Sequence, residues 1–174
     1  MKKTILLFGI LTAIFISSAS AQKMNAGVSL GPVFPTGDAS DFLETGFRFD
    51  GSVDYYFNDK FDMGVEVGYM TMSFEGIDES QNMVPLQITA GYHNDLGSSV
   101  DLYGELGGGV FFISNSINNE SDSYGGISPR LGAAFELQED LLFLDTNINY
   151  TSIFTEGDNL NLMGLNIGLL YTIR

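Results

Sequence analysis

The residues in this chain that could perform acid–base chemistry are a few carboxylates and the single histidine. Glu66 and Glu105 could act as the general acid and general base of a glycoside hydrolase, which places two carboxyl groups around the scissile bond. His93 lies near Asp95 and Ser98 in the sequence and could belong to the Ser, His and acid set of an acyl hydrolase. Carboxylates near arginines are more often structural, and an isolated histidine beside a turn is more often solvated. We therefore expect no catalytic residues.

Residue types exclude several other kinds of site. The chain has no cysteine, which excludes disulfides, thiolate zinc sites, cysteine nucleophiles and a lipoprotein anchor. Gly104 and the run Gly107–Gly109 lack a Walker lysine and lie in a predicted strand, so they indicate close packing rather than a phosphate-binding loop. No acidic segment matches the EF-hand pattern, and we expect no metal site and no cofactor. The formal net charge of −15 argues against a nucleic-acid partner.

Residues 1–21 have the features of a secretory signal peptide. Lys2 and Lys3 are followed by an apolar stretch to Ile16 and by the small residues Ala19-Ser20-Ala21, which are typical of a cleavage site. The apolar stretch is shorter than the roughly 20 residues that a membrane-spanning helix needs. The sequence therefore predicts an exported chain whose mature part is a single domain of residues 22–174.

In this mature part, apolar residues recur at every second position, which is typical of strands whose two faces meet different surroundings. In residues 47–57, for example, apolar and aromatic side chains occupy most odd positions, whereas polar or charged ones occupy the even positions. Alternating strands of about ten residues, separated by turns, are the signature of a transmembrane barrel. The fold class predicted is therefore all-β, an eight-stranded antiparallel up-and-down transmembrane β-barrel. The alternating segments are residues 24–34, 47–57, 61–69, 84–93, 100–112, 127–137, 142–150 and 163–174.

The connections between these segments alternate in length. Longer polar connections at 35–46, 75–82, 115–124 and 155–159 alternate with shorter ones at 58–60, 93–98 and 138–140. Long loops at one end and short turns at the other fit a barrel of the outer membrane with both termini periplasmic. Aromatic residues near the strand ends would form girdles at the two membrane interfaces. They are Phe34, Phe47, Tyr55, Phe57, Phe61, Tyr92, Phe112, Phe135, Phe154 and Tyr171.

The segments GPVFPTGDASDF, SVDYYFNDKFDMGVEVGYM, VPLQITAGYH and DLYGELGGGVFF make the chain similar to a known family. Over residues 24–174 it resembles the OmpA-like and OmpX-like eight-stranded outer-membrane barrels of Gram-negative bacteria. The resemblance implies an integral outer-membrane protein that serves envelope integrity, adhesion or surface interaction. Such barrels commonly end on an aromatic residue, whereas this chain ends Tyr171-Thr172-Ile173-Arg174, so that Tyr171 is the nearest substitute.

The lumen of an eight-stranded barrel is just wide enough for side chains to fill it, so we expect a plug rather than a pore. Counting from the short turns, the polar faces place several charged and amide side chains at similar depths, all pointing inward. Because an arginine fork can bind several carboxylate oxygens, these residues predict a salt-bridge network in the lumen. Its predicted members are Arg48, Asp50, Glu66, Glu105 and Arg130, with Gln87 and Asn147 beside them.

The predicted outer loops carry many carboxylates, which we interpret as a solvated acidic rim. Beside lipopolysaccharide phosphates, this rim would need bridging divalent cations. The partners expected are outer-membrane lipid and lipopolysaccharide, with an extracellular ligand of the loops as a further possibility. The rim residues are Asp38, Asp41, Glu44, Glu75, Asp78, Glu79, Glu120, Asp122, Glu156 and Asp158.

The sequence favours an outer-membrane barrel without catalysis, with a structural or surface-interaction role. One alternative is a lipid-modifying barrel enzyme that uses His93 and an adjacent serine. The other is a soluble, lipocalin-like ligand carrier, which requires the apolar faces of the strands to point inward.

Overall fold

The computed structural model describes residues 23–76, 79–96, 99–116 and 121–173. Eight strands form one closed antiparallel barrel, in which each strand pairs with its neighbours in the chain and the last strand pairs with the first. The predicted fold class is therefore confirmed, whereas the predicted signal peptide lies outside the described residues. The strands are β1 (Met24–Thr36), β2 (Gly46–Asn58), β3 (Phe61–Ser73), β4 (Ser80–Asp95), β5 (Val100–Asn115), β6 (Ser121–Gln138), β7 (Leu142–Ile153) and β8 (Leu160–Ile173).

Within the described ranges, no helix is both long enough and apolar enough to span a membrane.

The two-residue alternation separates an apolar outer surface from a largely polar interior. Outward side chains such as Ile88 and Leu131 are 58% and 67% exposed, whereas the inward Arg48 is fully buried. This distribution is the reverse of a water-soluble protein and suits a barrel whose outer surface contacts lipid. The lipocalin-like alternative is wrong, because the apolar faces point outward. The paired backbone of a closed barrel also leaves no open sheet edge in the hydrocarbon.

The two ends of the barrel differ. The start of β1, the end of β8 and the connections after β2, β4 and β6 lie at one end, here called the turn end. The longer connections after β1, β3, β5 and β7 lie at the other, the loop end. Phe61 and Tyr92 contact each other edge to face at the turn end, with ring centroids 5.1 Å apart. Tyr171 points outward at the same end, and Arg174 lies outside the described residues.

At the loop end, the lumen is filled by an apolar cluster that the sequence analysis did not predict; we call it the apolar cap. A short 3-10 helix, Gly37–Asp41, follows β1 and buries Ala39 in the cap. Leu43 forms an isolated bridge with Phe74, so the first loop folds over the barrel mouth. The cap is formed by Val33, Ala39, Leu43, Met70, Met72, Met83, Phe111, Ile113, Ile153, Leu160 and Leu162.

Every strand extends further towards the loop end than the sequence indicated, and β4 and β6 extend well into predicted loops. β4 begins at Ser80 and β6 at Ser121, in segments that the sequence analysis assigned to loops. These residues pair with the end of β5, as in Asn82 with Ser114 and Asp122 with Ile113. Because these residues are mostly polar, they show no alternation of apolar and polar positions. The predicted strands were therefore too short at this end.

Gly31 provides a test of how closely the strands approach one another in the lumen. The pairing of β1 with β8 skips Gly31 and Pro32, and a Cβ on Gly31 would lie 1.8 Å from the carbonyl oxygen of Leu165. On the outer surface, a Cβ on Gly51 would meet no atom closer than 3.9 Å. We predict that Gly31→Ala sharply lowers the yield of folded barrel, whereas Gly51→Ala folds like the unmodified chain. The yield can be measured after refolding into detergent, as the fraction whose gel mobility shifts on boiling. Equal yields for both variants would contradict the close approach.

Candidate functional site in the barrel lumen

The middle of the lumen contains an ion-paired network built around Glu66 of β3. Arg48 of β2 places Nε 2.5 Å from Asp50 Oδ2 and Nη2 2.8 Å from Glu66 Oε1. Arg130 of β6 places Nη2 2.5 Å from Glu66 Oε2 and Nη1 2.9 Å from Glu105 Oε1. The structure thus brings together all five residues of the predicted network. Glu66 joins its two halves, because each of its oxygens accepts from a different guanidinium.

Amide side chains add hydrogen bonds to this network. Gln87 donates to Glu66 Oε1 at 3.2 Å, and Arg48 donates to Asn149 Oδ1 at 3.4 Å. Asn147, which the sequence placed beside the arginines, instead donates to Asp145 Oδ2 at 2.7 Å. These bonds matter because a buried charge is stable only when its hydrogen-bonding atoms are satisfied.

His93 occupies the turn end of the lumen and is only 7% exposed. Its Nε2 lies 2.5 Å from Asp62 Oδ2, and its Nδ1 lies 2.6 Å from Asp101 Oδ2. Two carboxylate partners suit an imidazolium, which donates from both nitrogens. The ring also stacks on Tyr103, with centroids 5.5 Å apart. Tyr56 flanks the histidine, with its hydroxyl 3.3 Å from Nε2.

The expectation of a solvated turn histidine is therefore wrong. β4 continues to Asp95, so His93 is an inward strand position rather than part of the turn. Asp95 is exposed at the end of this strand, and Ser98 lies outside the described residues. The described partners of the His93 ring are thus two aspartates and tyrosines, not the serine of a hydrolase.

A second carboxylate cluster, absent from the sequence predictions, lies between the network and His93. Asp54, Asp62 and Glu105 each place one oxygen so that all three atoms lie within 4.8 Å of one another. A cavity of about 40 Å³ adjoins them. Alternation had already placed all three residues on inward faces. The missing information was the pairing across β2, β3, β4 and β5, which brings Asp62, Gly91 and Glu105 into one row.

The geometry of Glu66 does not match that of a glycoside hydrolase. Both carboxylate oxygens accept from arginines, and its side chain is 2% exposed. An inverting or retaining enzyme needs a sugar between its two carboxyl groups, whereas Glu66 and Glu105 share the Arg130 guanidinium.

The acidic rim lies at the loop end, as the strand order requires. The carboxylate residues Asp38, Asp122 and Asp158 surround a cleft of about 390 Å³ whose lining includes Ile113 and Tyr124. The other described rim residues are Asp41, Glu44, Glu75, Glu79 and Glu156, whereas Asp78 and Glu120 lie outside the described residues.

A closed eight-stranded barrel with a polar, ion-paired lumen and an apolar outer surface is an integral outer-membrane protein by class. The chain belongs to the outer membrane protein beta-barrel domain family, whose sequence profile matches residues 5–172. This result confirms the resemblance stated above and locates the protein in the outer membrane. No curated protein sequence matched the chain.

Solved structures of several outer-membrane proteins share the fold. Neisserial surface protein A is 17% identical, with a TM-score of 0.71 over 90% of this chain and 100% of that one. Ail, the attachment invasion locus protein of Yersinia pestis, solved with the heparin analogue sucrose octasulfate, is 20% identical, with a TM-score of 0.58 over 87% and 97%. OprG of Pseudomonas aeruginosa is 13% identical, with a TM-score of 0.54 over 88% and 95%. At these identities the likeness establishes the fold alone.

Substitution of Arg130 tests how much the network contributes to the stability of the barrel. We predict that Arg130→Ala destabilises the barrel by about 3 to 5 kcal/mol, because Glu105 loses its buried ion-pair partner and Glu66 loses one of its two. Lys60→Ala, at the exposed turn after β2, serves as the control and should be near neutral. Urea unfolding in detergent, followed by circular dichroism and gel mobility, measures both. An unfolding midpoint for Arg130→Ala equal to that of the control would rule out a stabilising network.

Proposed function

We propose that the chain is a non-catalytic barrel of the outer membrane, with a closed lumen and a surface for interaction at its loop end. The observation that carries the proposal is that the lumen is obstructed at two levels. The ion pairs of Arg48, Glu66 and Arg130 cross its middle, and the apolar cap fills it below the loops. A barrel filled in this way supports a structural or surface-interaction role rather than solute passage.

Under this proposal, the turn end and both termini face the periplasm and the loop end faces outward. Short turns on the periplasmic side and longer loops outside are usual in bacterial outer-membrane barrels. Removal of residues 1–21 after export would leave the mature N-terminus at the turn end, beside β1.

The geometry of the lumen argues against a lipid-modifying activity. His93 has a carboxylate at each ring nitrogen, so neither nitrogen is available as the base for a nucleophile. The ring also points into the barrel, whereas a lipid substrate would contact the outer surface.

The acidic cleft at the loop end supports an interaction role. Carboxylates of Asp38, Asp122 and Asp158 around the partly apolar cleft would favour a cationic partner directly. An anionic partner such as lipopolysaccharide phosphate would require divalent cations to bridge the two negative surfaces.

The closed lumen can be tested by conductance. We expect the purified protein to give no stable channel openings in planar lipid bilayers. Combining Arg130→Ala with Phe111→Ala removes one side chain from the network and one from the cap, and we expect openings from this double variant only. The lipid-facing substitution Val65→Ala is the matched control. Stable openings from the unmodified barrel would refute the proposed plug.

The interaction of the loop end with lipopolysaccharide can be tested by limited proteolysis in vesicles that contain this lipid. We predict that removing divalent cations accelerates cleavage in the loops, since bridging ions would no longer hold the acidic rim against the phosphates. The double variant Asp38→Asn, Asp158→Asn should lose this sensitivity, whereas Asp59→Asn at the turn end should retain it. Cleavage that does not depend on divalent cations would refute the bridging.

A further inference from the structure

We propose that the lumen binds a hard divalent cation between Asp54, Asp62 and Glu105, with the hydroxyl of Thr89 as an additional oxygen ligand. This site lies in the turn-end half of the barrel and is separate from the acidic rim at the loop end.

The strand pairing explains how four adjacent strands supply these oxygens. Asp54 of β2 pairs with Gly64 of β3, which pairs with Thr89 of β4. In the next row, Asp62 of β3 and Glu105 of β5 flank a glycine of β4. The two glycines carry no side chain that would separate the oxygens. The carboxylates can therefore converge to within 4.8 Å of one another.

Thr89 provides evidence for a bound ligand, and this evidence is independent of the acidic cluster. Its side chain is 3% exposed, and its Oγ1 has no hydrogen-bond partner among the described residues. A Cβ on Gly64 would lie 2.8 Å from this Oγ1 and 2.0 Å from Asp54 Oδ1, so both oxygens approach the same point above the glycine. A buried hydroxyl without a partner calls for a bound ion or water.

Two of the three carboxylates have unfilled acceptor positions. Oδ1 of Asp54 and Oδ1 of Asp62 are buried without a hydrogen-bond partner in the described part of the chain. Asp62 uses its other oxygen for His93, and Asp54 accepts from Ser52 at its Oδ2, 3.1 Å away. Asp54, Asp62 and Glu105 all line the cavity of about 40 Å³. That volume accommodates an ion together with a coordinated water.

The charge of the described lumen also favours a cation. Carboxylates outnumber basic groups there, and an uncompensated buried charge is strongly destabilising. A divalent cation would offset half of this excess. The carboxylates are Asp50, Asp54, Asp62, Glu66, Asp101, Glu105 and Asp145, and the basic groups are Arg48, Arg130 and His93.

The ligand chemistry indicates the class of ion. The converging atoms are carboxylate and hydroxyl oxygens, which suit Ca²⁺ and Mg²⁺. Softer transition metals prefer thiolate or imidazole ligands, but the chain has no cysteine and His93 has a carboxylate at each nitrogen. Ca²⁺ tolerates irregular sets of six to eight oxygens, whereas Mg²⁺ demands a near-ideal octahedron and retains its waters.

The test uses the mature barrel refolded from urea into detergent with CaCl₂, with MgCl₂ or with EDTA alone. Because the site is buried, we expect an ion taken up during refolding to raise the thermal unfolding midpoint and then to resist later addition of EDTA. Ions held by the exposed acidic rim would instead be stripped at once. Comparison of the CaCl₂ and MgCl₂ samples identifies the ion that the site prefers.

Terbium luminescence that persists after EDTA has stripped the exposed rim, where Tyr124 lies, reports the buried site. The chain has no tryptophan, and Tyr56 and Tyr103 line the same cavity, so tyrosine excitation should sensitise Tb³⁺ bound there. We expect Asp54→Asn, which keeps the size of the side chain, to weaken Tb³⁺ binding at least tenfold and to abolish the EDTA-resistant shift. Thr89→Val is the second variant, with a smaller loss expected, and remains informative if Asp54→Asn does not fold. Asp158→Asn on the rim is the matched control and should keep both signals.

Several outcomes would overturn the proposal. One is the absence of any EDTA-resistant shift in the unmodified barrel. Another is equal Tb³⁺ binding by Asp54→Asn, Thr89→Val and the unmodified chain. A third is stabilisation by acid alone, with no effect of metal, which would mean that the carboxylates share protons instead. Each result can be read independently of bilayer conductance, so failure here would leave the proposed closed, non-catalytic barrel intact.

Discussion

The closure of β8 onto β1 is the constraint on which the rest of the structure depends. In lipid, a strand edge with unpaired N–H and C=O groups is too costly, so the sheet must close on itself. With eight strands, the enclosed space is narrow enough that side chains fill it. Every second residue then points into a lumen with little room for water. The polar residues on these inward faces must satisfy one another, and the chain supplies arginines and carboxylates at matching depths.

The lumen has three layers, which meet this requirement for satisfied inward side chains in different ways. At the loop end, apolar side chains replace polar ones and need no partners. In the middle, Glu66 accepts from both Arg48 and Arg130, so removing one charge leaves others unpaired. At the turn end, His93 binds two aspartates, but the carboxylates of Asp54 and Asp62 keep unfilled oxygens. Polar networks are stable when complete and costly when partly satisfied. The middle layer also holds buried atoms without a described partner, such as Asp50 Oδ1 and Arg130 Nε, but the three-carboxylate cluster of the described lumen lies at the turn end.

Alternation in the sequence was sufficient to predict the eight strands, their faces and the inward direction of the arginines and carboxylates. It could not predict the apolar cap, because inward residues such as Met70 and Phe111 follow apolar outward neighbours and the two-residue pattern fades. It also misjudged His93, since the polar end of β4 was read as a turn. The cluster of Asp54, Asp62 and Glu105 depends on the register across β2 to β5. The face on which a residue lies follows from the alternation within its own strand. The depth at which it lies in the lumen follows from the register between strands in the closed barrel.

The difference between the barrel framework and its side chains also determines what the similarity to other barrels shows about this chain. Neisserial surface protein A covers nearly the whole chain at 17% identity, so closure and strand number persist while most side chains differ. At that identity the likeness conveys the fold, whereas function depends on the particular side chains that fill the lumen and form the loops. In this chain the cap separates the two regions: the cleft lined by Asp38, Asp122 and Asp158 adjoins the cap at Ile113 and Leu160, not the ion pairs beneath it. Substitutions in the loop cleft can therefore occur without disturbing the ion pairs of the lumen.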